Sequence, residues 1–230
     1  MTARKSISVT LKICIVATSL GGVLLSLITA QKDGYSHWAR RLLYFTAQSN
    51  IWIGVITLFS LLLPLFSSRK KHAERVFILR YLFTVSITLT GLVFCGLLAP
   101  FAADYGFPTW NISSVLTHAV SPALSIAEFF IGEREFVLQN KHVALCGIPP
   151  ALYFATAFLL EFFRVDFGRG APYPYFFMNF RSPVGVFGFS SHPPFVMGTF
   201  YWFLLFPLLM YAIAVLYKNL YNRKRKIKKA

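Results

Sequence analysis

Acidic side chains are scarce in this chain: 8 Asp and Glu stand against 23 Lys and Arg in 230 residues, and charged residues together make up 13%. A soluble domain carries about 25%, so a water-soluble globule is excluded. Cysteine is sparse as well. The three Cys, at positions 14, 95 and 146, lie inside apolar stretches without any C-x-x-C spacing. That excludes a disulfide scaffold, and it leaves no basis for expecting a metal site or a cofactor. Nor is the chain poor in hydrophobic residues, as a disordered one would be: they make up 56%, with 25 Phe and a mean hydropathy of +0.59. No internal repeat and no soluble domain is visible.

What the chain does have is long runs free of charge, at 13–31, 42–68, 81–103, 105–127, 142–160 and 182–217. A membrane span needs about 20 mostly apolar residues. The fourth run opens on a loop-like Tyr105-Gly106-Phe107-Pro108, and the sixth contains an equally loop-like segment from Phe187 to Pro194. Six helices are therefore expected near 10–30, 42–66, 77–99, 112–132, 142–163 and 194–218. Helix is preferred over a transmembrane barrel because the runs are continuous rather than alternating with a period of two. Arg4 and Lys5 precede the first run as in a signal peptide, but its apolar region is longer than a typical cleaved one, so a retained helix is expected. The expected fold is all-α: a single polytopic membrane domain of six transmembrane helices.

Sorting Lys and Arg across six alternating spans gives the orientation. One side holds Arg4, Lys5, Lys12, Arg69, Lys70, Lys71, Arg75, Arg80, Arg134, Lys141, Lys218, Arg223, Lys224, Arg225, Lys226, Lys228 and Lys229, seventeen of the 23. The other side holds Lys32, Arg40, Arg41, Arg164, Arg169 and Arg181. Both termini are expected to be cytoplasmic, in a plasma (inner) membrane. The basic tail at 219–230 is expected to contact anionic lipid, and no nucleic-acid partner is expected.

Ionisable groups at bilayer depth are costly, so they are functional candidates by default. Two stand out, His118 and Glu128. On an ideal helix Asn111, Ser114, His118, Ser121, Ser125 and Glu128 share one polar stripe, which should face the bundle interior or a pocket. The second helix repeats the pattern with Thr46, Ser49, Asn50, Thr57 and Ser60. A third set, Thr84, Thr88, Gly91 and Cys95, suits close helix packing as readily as a pocket. Helices two and four enter from the same side, and Thr46 and His118 each lie roughly 8 Å in, at 1.5 Å per residue. They can meet at one level. A neutral imidazole can take the proton from a hydroxyl attacking a carbonyl and later return it to the leaving group, so Thr46 and His118 are a candidate nucleophile and base.

Gln48, Ser49 and Asn50 are candidate donors to the developing oxyanion, and Ser121, Ser125 and Glu128 are further substrate-side candidates. Glu128 lies about 15 Å along the helix from His118, too far to orient the imidazole; a cationic or hydroxyl partner in the bundle, such as Arg80, and a snorkelling pair at the interface are both open to it. The stretch from Arg164 to Pro193 is the longest non-helical one. It is rich in Pro, Gly and aromatics, as befits a lid over the outer pocket, and its Arg164, Arg169 and Arg181 suit an anionic headgroup or an interfacial anchor.

The run Leu43-Tyr44-Phe45-Thr46-Ala47-Gln48-Ser49-Asn50, His118 with Glu128 ten residues later, and Tyr173-Pro174 before the last helix carry a resemblance. The chain resembles the androgen-induced-gene and androgen-dependent TFPI-regulating protein family across nearly its whole length. The resemblance implies a six-span protein that hydrolyses fatty acid esters of hydroxy fatty acids through an intramembrane Thr and His. Thr46 then matches the nucleophile and His118 the base. Pro122 follows His118 by four residues where animal members place a proline five after, and their upstream second histidine is missing. The polar Gln48-Ser49-Asn50 run looks more like the prokaryotic branch.

The leading expectation is an integral membrane hydrolase of lipid esters, with membrane lipids and a lipid ester as its partners and no cofactor. The competing expectation is a non-catalytic binding or transport protein whose polar stripe holds a lipid or a small solute. A six-span haem carrier is disfavoured, because bis-histidine ligation needs paired His at facing depths and only His118 is deep. Oligomeric state is not legible in the sequence.

Overall fold

The computed structural model describes residues 3–66, 69–102, 110–132 and 136–227. The loop head expected at 105–108 and the basic positions Arg134, Lys228 and Lys229 lie outside the described residues. Within them the chain is helical, with no strand. Six helices are long and apolar enough to cross a membrane: α1 (Ala3–Thr29), α2 (Phe45–Phe66), α3 (Lys70–Leu98), α4 (Ile112–Ile131), α5 (Asn140–Phe162) and α6 (Thr199–Ile227). The chain is an integral multi-pass membrane protein.

Three helix ends extend beyond the sequence reading. α1 starts at Ala3 rather than near 10, α3 starts at Lys70 rather than near 77, and α6 runs on to Ile227, so most of the expected tail is helix. The cause is common to all three: Lys and Arg end an apolar run but are good helix formers, and no Gly or Pro interrupts these stretches. In contrast, α6 begins at Thr199 instead of 194, because Pro193, Pro194 and Gly198 cannot sustain helical hydrogen bonding there.

α3 is the central helix, the most buried of the six, and α1 is the least buried. It packs on α2, α4 and α6, while α1 lies against α2 and α4. The outer faces carry bare apolar side chains such as Leu65, Phe66, Phe163 and Leu208, which only hydrocarbon accommodates at this density. One end of the bundle brings together the start of α1 and the end of α4, where the Arg4 guanidinium donates to the carbonyls of Ile131 and Gly132. At that end Tyr81 (α3), Phe129 (α4), Tyr217 and Tyr221 (α6) form an aromatic core, and the Tyr81 hydroxyl donates to the Ala214 carbonyl at 2.7 Å.

The opposite end is closed by two non-helical segments. A 3-10 turn, Trp38–Leu43, leads into α2, and the long stretch at 163–198 contains only a short 3-10 turn, Phe176–Met178. The two segments are tied together. Ser36 N–H donates to the Gly168 carbonyl at 2.8 Å, the Tyr44 hydroxyl donates to the Phe167 carbonyl at 3.3 Å, and Asp166 Oδ1 accepts from the N–H groups of Gly168 and Gly170. Gly168 is required there: its φ is +110°, and an added Cβ would stand 2.5 Å from the Tyr35 ring.

Two devices shape the interior near this end. α3 and α4 each contain one π turn, Phe94–Leu98 and Leu116–Val120. A π turn takes up one extra residue and so rotates the next stretch of helix by about 100° relative to an ideal one. One turn before the first of them, Gly91 lies close against α4: a Cβ there would meet the His118 carbonyl at 3.0 Å and Pro122 at 3.2 Å, so a larger residue would push the two helices apart by a few tenths of an ångström.

Candidate active site

Thr46 is the second residue of α2 and His118 lies in the π turn of α4; their Oγ1 and Nε2 atoms are 3.1 Å apart. The other ring nitrogen, Nδ1, is 3.0 Å from the Ser114 carbonyl. A carbonyl only accepts, so Nδ1 carries the proton and Nε2 keeps its lone pair for the Thr46 hydroxyl. The imidazole is further fixed by the Phe94 ring, stacked on it at a centroid distance of 3.7 Å and an interplanar angle of 16°. Phe94 and His118 belong to the two facing π turns. The sequence pattern carries no sign of this, because a π turn leaves no periodic signature.

Gln48, Ser49 and Asn50 surround Thr46, but their donors are engaged with the backbone and with one another. Gln48 Nε2 donates to the Leu42 carbonyl at 3.1 Å, Ser49 Oγ bonds the Thr46 carbonyl and Thr90 Oγ1, and Asn50 Nδ2 bridges the carbonyls of Thr46 and Thr117 at 2.8 and 3.0 Å. Asn50 thereby ties the turn holding Thr46 to the turn holding His118. None of the three aims a donor at the space in front of the Thr46 hydroxyl. Tyr175 borders the same cavity as Thr46, and burial pushes its ionisation above the ordinary tyrosine value, so its hydroxyl stays protonated. Tyr175 comes from the loop at 163–198, which no helical periodicity could place beside α2. Tyr44 packs edge-on against Tyr175 at 5.7 Å, and burial raises its ionisation too.

A cavity of 340 Å³ opens in front of the pair. Ser114, Thr117 and His118 of α4 form one wall, and Ala171, Tyr173, Pro174 and Tyr175 of the loop form the cover. At its mouth Arg41 pairs with Asp33, and the guanidiniums of Arg41 and Arg169 lie over the Tyr35 ring at 4.1 and 4.5 Å. Asn111 also lines the cavity while its Oδ1 caps α4 by accepting from Ser114 N–H. Of the loop arginines, Arg169 lines this cavity, and Arg164 and Arg181 do not.

The rest of the polar stripe is elsewhere. Ser121 Oγ donates to Thr18 Oγ1 at 3.1 Å, Ser125 Oγ donates to the Ser121 carbonyl at 2.7 Å, and neither lines the cavity. Glu128 lies in the basic end of the bundle, 1% exposed, ion-paired with Arg80 and with Lys12 at 3.8 Å and accepting from Ser8 Oγ at 2.8 Å. The helix puts it too far from Thr46 to touch a substrate there. Pairing with Arg80 follows the sequence expectation, while Ser8 and Lys12 of α1 are partners that turn counting does not reveal.

Among the described residues, no group of three or more His, Cys, Asp or Glu is arranged to hold a metal. Comparison of the chain with protein-family models, with curated proteins and with solved structures returns no match.

Proposed function

We propose that this protein is an intramembrane hydrolase of lipid esters, of the kind the androgen-induced-gene family resemblance implies, with Thr46 as nucleophile and His118 as general base and acid. One observation carries the reading: Thr46 Oγ1 lies 3.1 Å from a His118 Nε2 whose partner nitrogen is committed to a backbone carbonyl, beside a cavity of 340 Å³.

The chemistry runs as acyl transfer. Thr46 Oγ1 attacks the ester carbonyl carbon as His118 Nε2 takes its proton. The resulting imidazolium keeps its Nδ1–H on the Ser114 carbonyl, which orients the ring without adding the full charge of a carboxylate, an expensive group within hydrocarbon. The Tyr175 hydroxyl donates to the oxyanion. Collapse breaks the bond to the alcohol, which leaves with the proton from Nε2. A water from the cavity then gives a proton to Nε2 and attacks the acyl-Thr46 ester, releasing the acid and restoring the hydroxyl. The polar end of the lipid faces Arg41 and Arg169 at the mouth. The basic end of the bundle faces the cytoplasm of a plasma (inner) membrane, following the charge asymmetry.

The test uses the purified full chain in nanodiscs with p-nitrophenyl and branched lipid esters. Thr46→Ala is expected to lower the rate by about three orders of magnitude or more, and a fluorophosphonate or lactone probe is expected to label Thr46. Parental rates in Thr46→Ala sink the assignment. Saturable uptake of a lipid or solute into vesicles that survives Thr46→Ala supports the transport reading instead.

A further inference from the structure

Thr46 borders a second space on the side away from the outer cavity. With Leu89, Thr90, Tyr153 and Tyr175 it lines a neck of 40 Å³, and Thr46, Leu98 and Tyr175 are common to the walls of the neck and of the outer cavity. The far wall of the neck, made by Leu89, Pro150, Phe154 and Phe206, is in turn a wall of a third cavity of 220 Å³ between α5 and α6. Three spaces thus abut in series, and the candidate nucleophile stands where the polar-mouthed one meets the two apolar ones.

The gap between α5 and α6 has a cause in the sequence. α5 breaks at Cys146–Gly147 and restarts on Pro149 and Pro150, and α6 carries Pro207 in its interior. Proline withholds an N–H and crowds the preceding turn, so neither helix keeps its full hydrogen bonding where the two face each other. α5 lines the gap with Ala144, Gly147 and Ala151, too small to fill it. Around it Ile148, Leu152 and Leu208 are exposed on the outer surface of the bundle. An apolar cavity bordered by such a surface in a bilayer opens towards lipid tails, not water.

We infer that the series of neck and α5–α6 cavity is the acyl-chain site, entered sideways from the bilayer, with the ester carbonyl at Thr46 and the alcohol portion in the outer cavity. This inference rests on the proposed function and assigns its two substrate halves. The acyl chain stays in the neck while it is esterified to Thr46, and the alcohol departs past Arg41 and Arg169. A single alkyl chain suits a 40 Å³ neck lined by rings, whereas a headgroup does not. Residues 144, 147 and 151 then set the longest acyl chain accepted.

The experiment compares p-nitrophenyl acetate with p-nitrophenyl laurate on the full chain in nanodiscs. Gly147→Phe and Ala151→Phe plug the cavity, and a Cβ at Gly147 meets only the Ala144 carbonyl at an ordinary 3.5 Å. Each is expected to lower the laurate-to-acetate ratio of kcat/KM at least tenfold, while Leu152→Phe on the lipid face leaves the ratio as it was. Ala151→Leu, a milder plug, gives a smaller shift in the same direction and covers the case in which the Phe variants fail to fold. Thr46-dependent hydrolysis with an unchanged ratio in both plugs and in Ala151→Leu overturns the acyl site but leaves the hydrolase standing. A second arm needs no turnover: a diazirine-bearing fatty acid is photocrosslinked and the adducts mapped. Adducts on the cavity-lining Ala144, Gly147, Ala151, Phe206 or Met210 that vanish in the plugged proteins support the site; adducts confined to the outward-facing Ile148, Leu152 and Leu208 overturn it.

Discussion

The two ends of α4 carry buried polar clusters of similar size but opposite character. At the basic end Glu128 is enclosed by Arg80, Lys12 and Ser8, three partners from two neighbouring helices, and Gly132 packs on its side chain. At the cavity end His118 also has its ring nitrogens engaged, yet one of them faces a hydroxyl that borders empty space on two sides. A buried charge enclosed by partners holds helices together. The same expense beside a cavity leaves a group able to act on something that enters. The difference is therefore in the space around each cluster, not in the polarity of its residues.

The sharpest way to break this contrast is at His118. His118→Ala is expected to lower ester hydrolysis by about 10²- to 10⁴-fold with little change in the thermal unfolding midpoint in detergent. A rate loss that merely tracks loss of folded protein would falsify the catalytic half of the comparison. Glu128→Ala should do the reverse: it strands Arg80 in the bundle and costs about 3–5 kcal/mol of stability, read as a lower unfolding midpoint, with the rate per folded molecule nearly kept. If that rate falls more than tenfold, the two ends are coupled through α4. Tyr175→Phe sharpens the cavity end. It removes one hydroxyl, and a kcat loss of about 10²-fold with KM little changed is expected for an oxyanion donor; equal losses in both variants of a Tyr175→Phe and Tyr44→Phe pair would instead indicate general packing damage. The smallest effect is expected at Thr57, whose buried hydroxyl has no hydrogen-bond partner among the described residues. Thr57→Val should gain about 1 kcal/mol, and a loss of stability there would reveal a role for that hydroxyl.

The cavity end is also the less legible of the two in sequence. Glu128 and Arg80 can be paired by counting turns, because both sit on regular helix near its basic end. Thr46 and His118 can be set at one depth by the same counting. Their contact cannot, since it runs through two π turns and a close approach at Gly91 that depend on which helices become neighbours. Gln48, Ser49 and Asn50 are attractive as oxyanion donors by residue type, but at the head of a helix their side chains find nearby carbonyls first. The hydroxyl proposed to donate instead, that of Tyr175, arrives from a loop about 130 residues away, and loops have no periodicity to extrapolate.

The sequence by itself determined that the chain lives in a membrane, how many times it crosses and which end is basic. Those properties follow from run length and charge, which the bilayer reads locally and residue by residue. Only the tertiary structure decided which polar groups are enclosed and which border a cavity. Enclosure is a property of several helices at once: the break at Gly147 before Pro149 and Pro150, Pro207 opposite it and the loop folded over the cavity end make the empty space, and no single segment contains it.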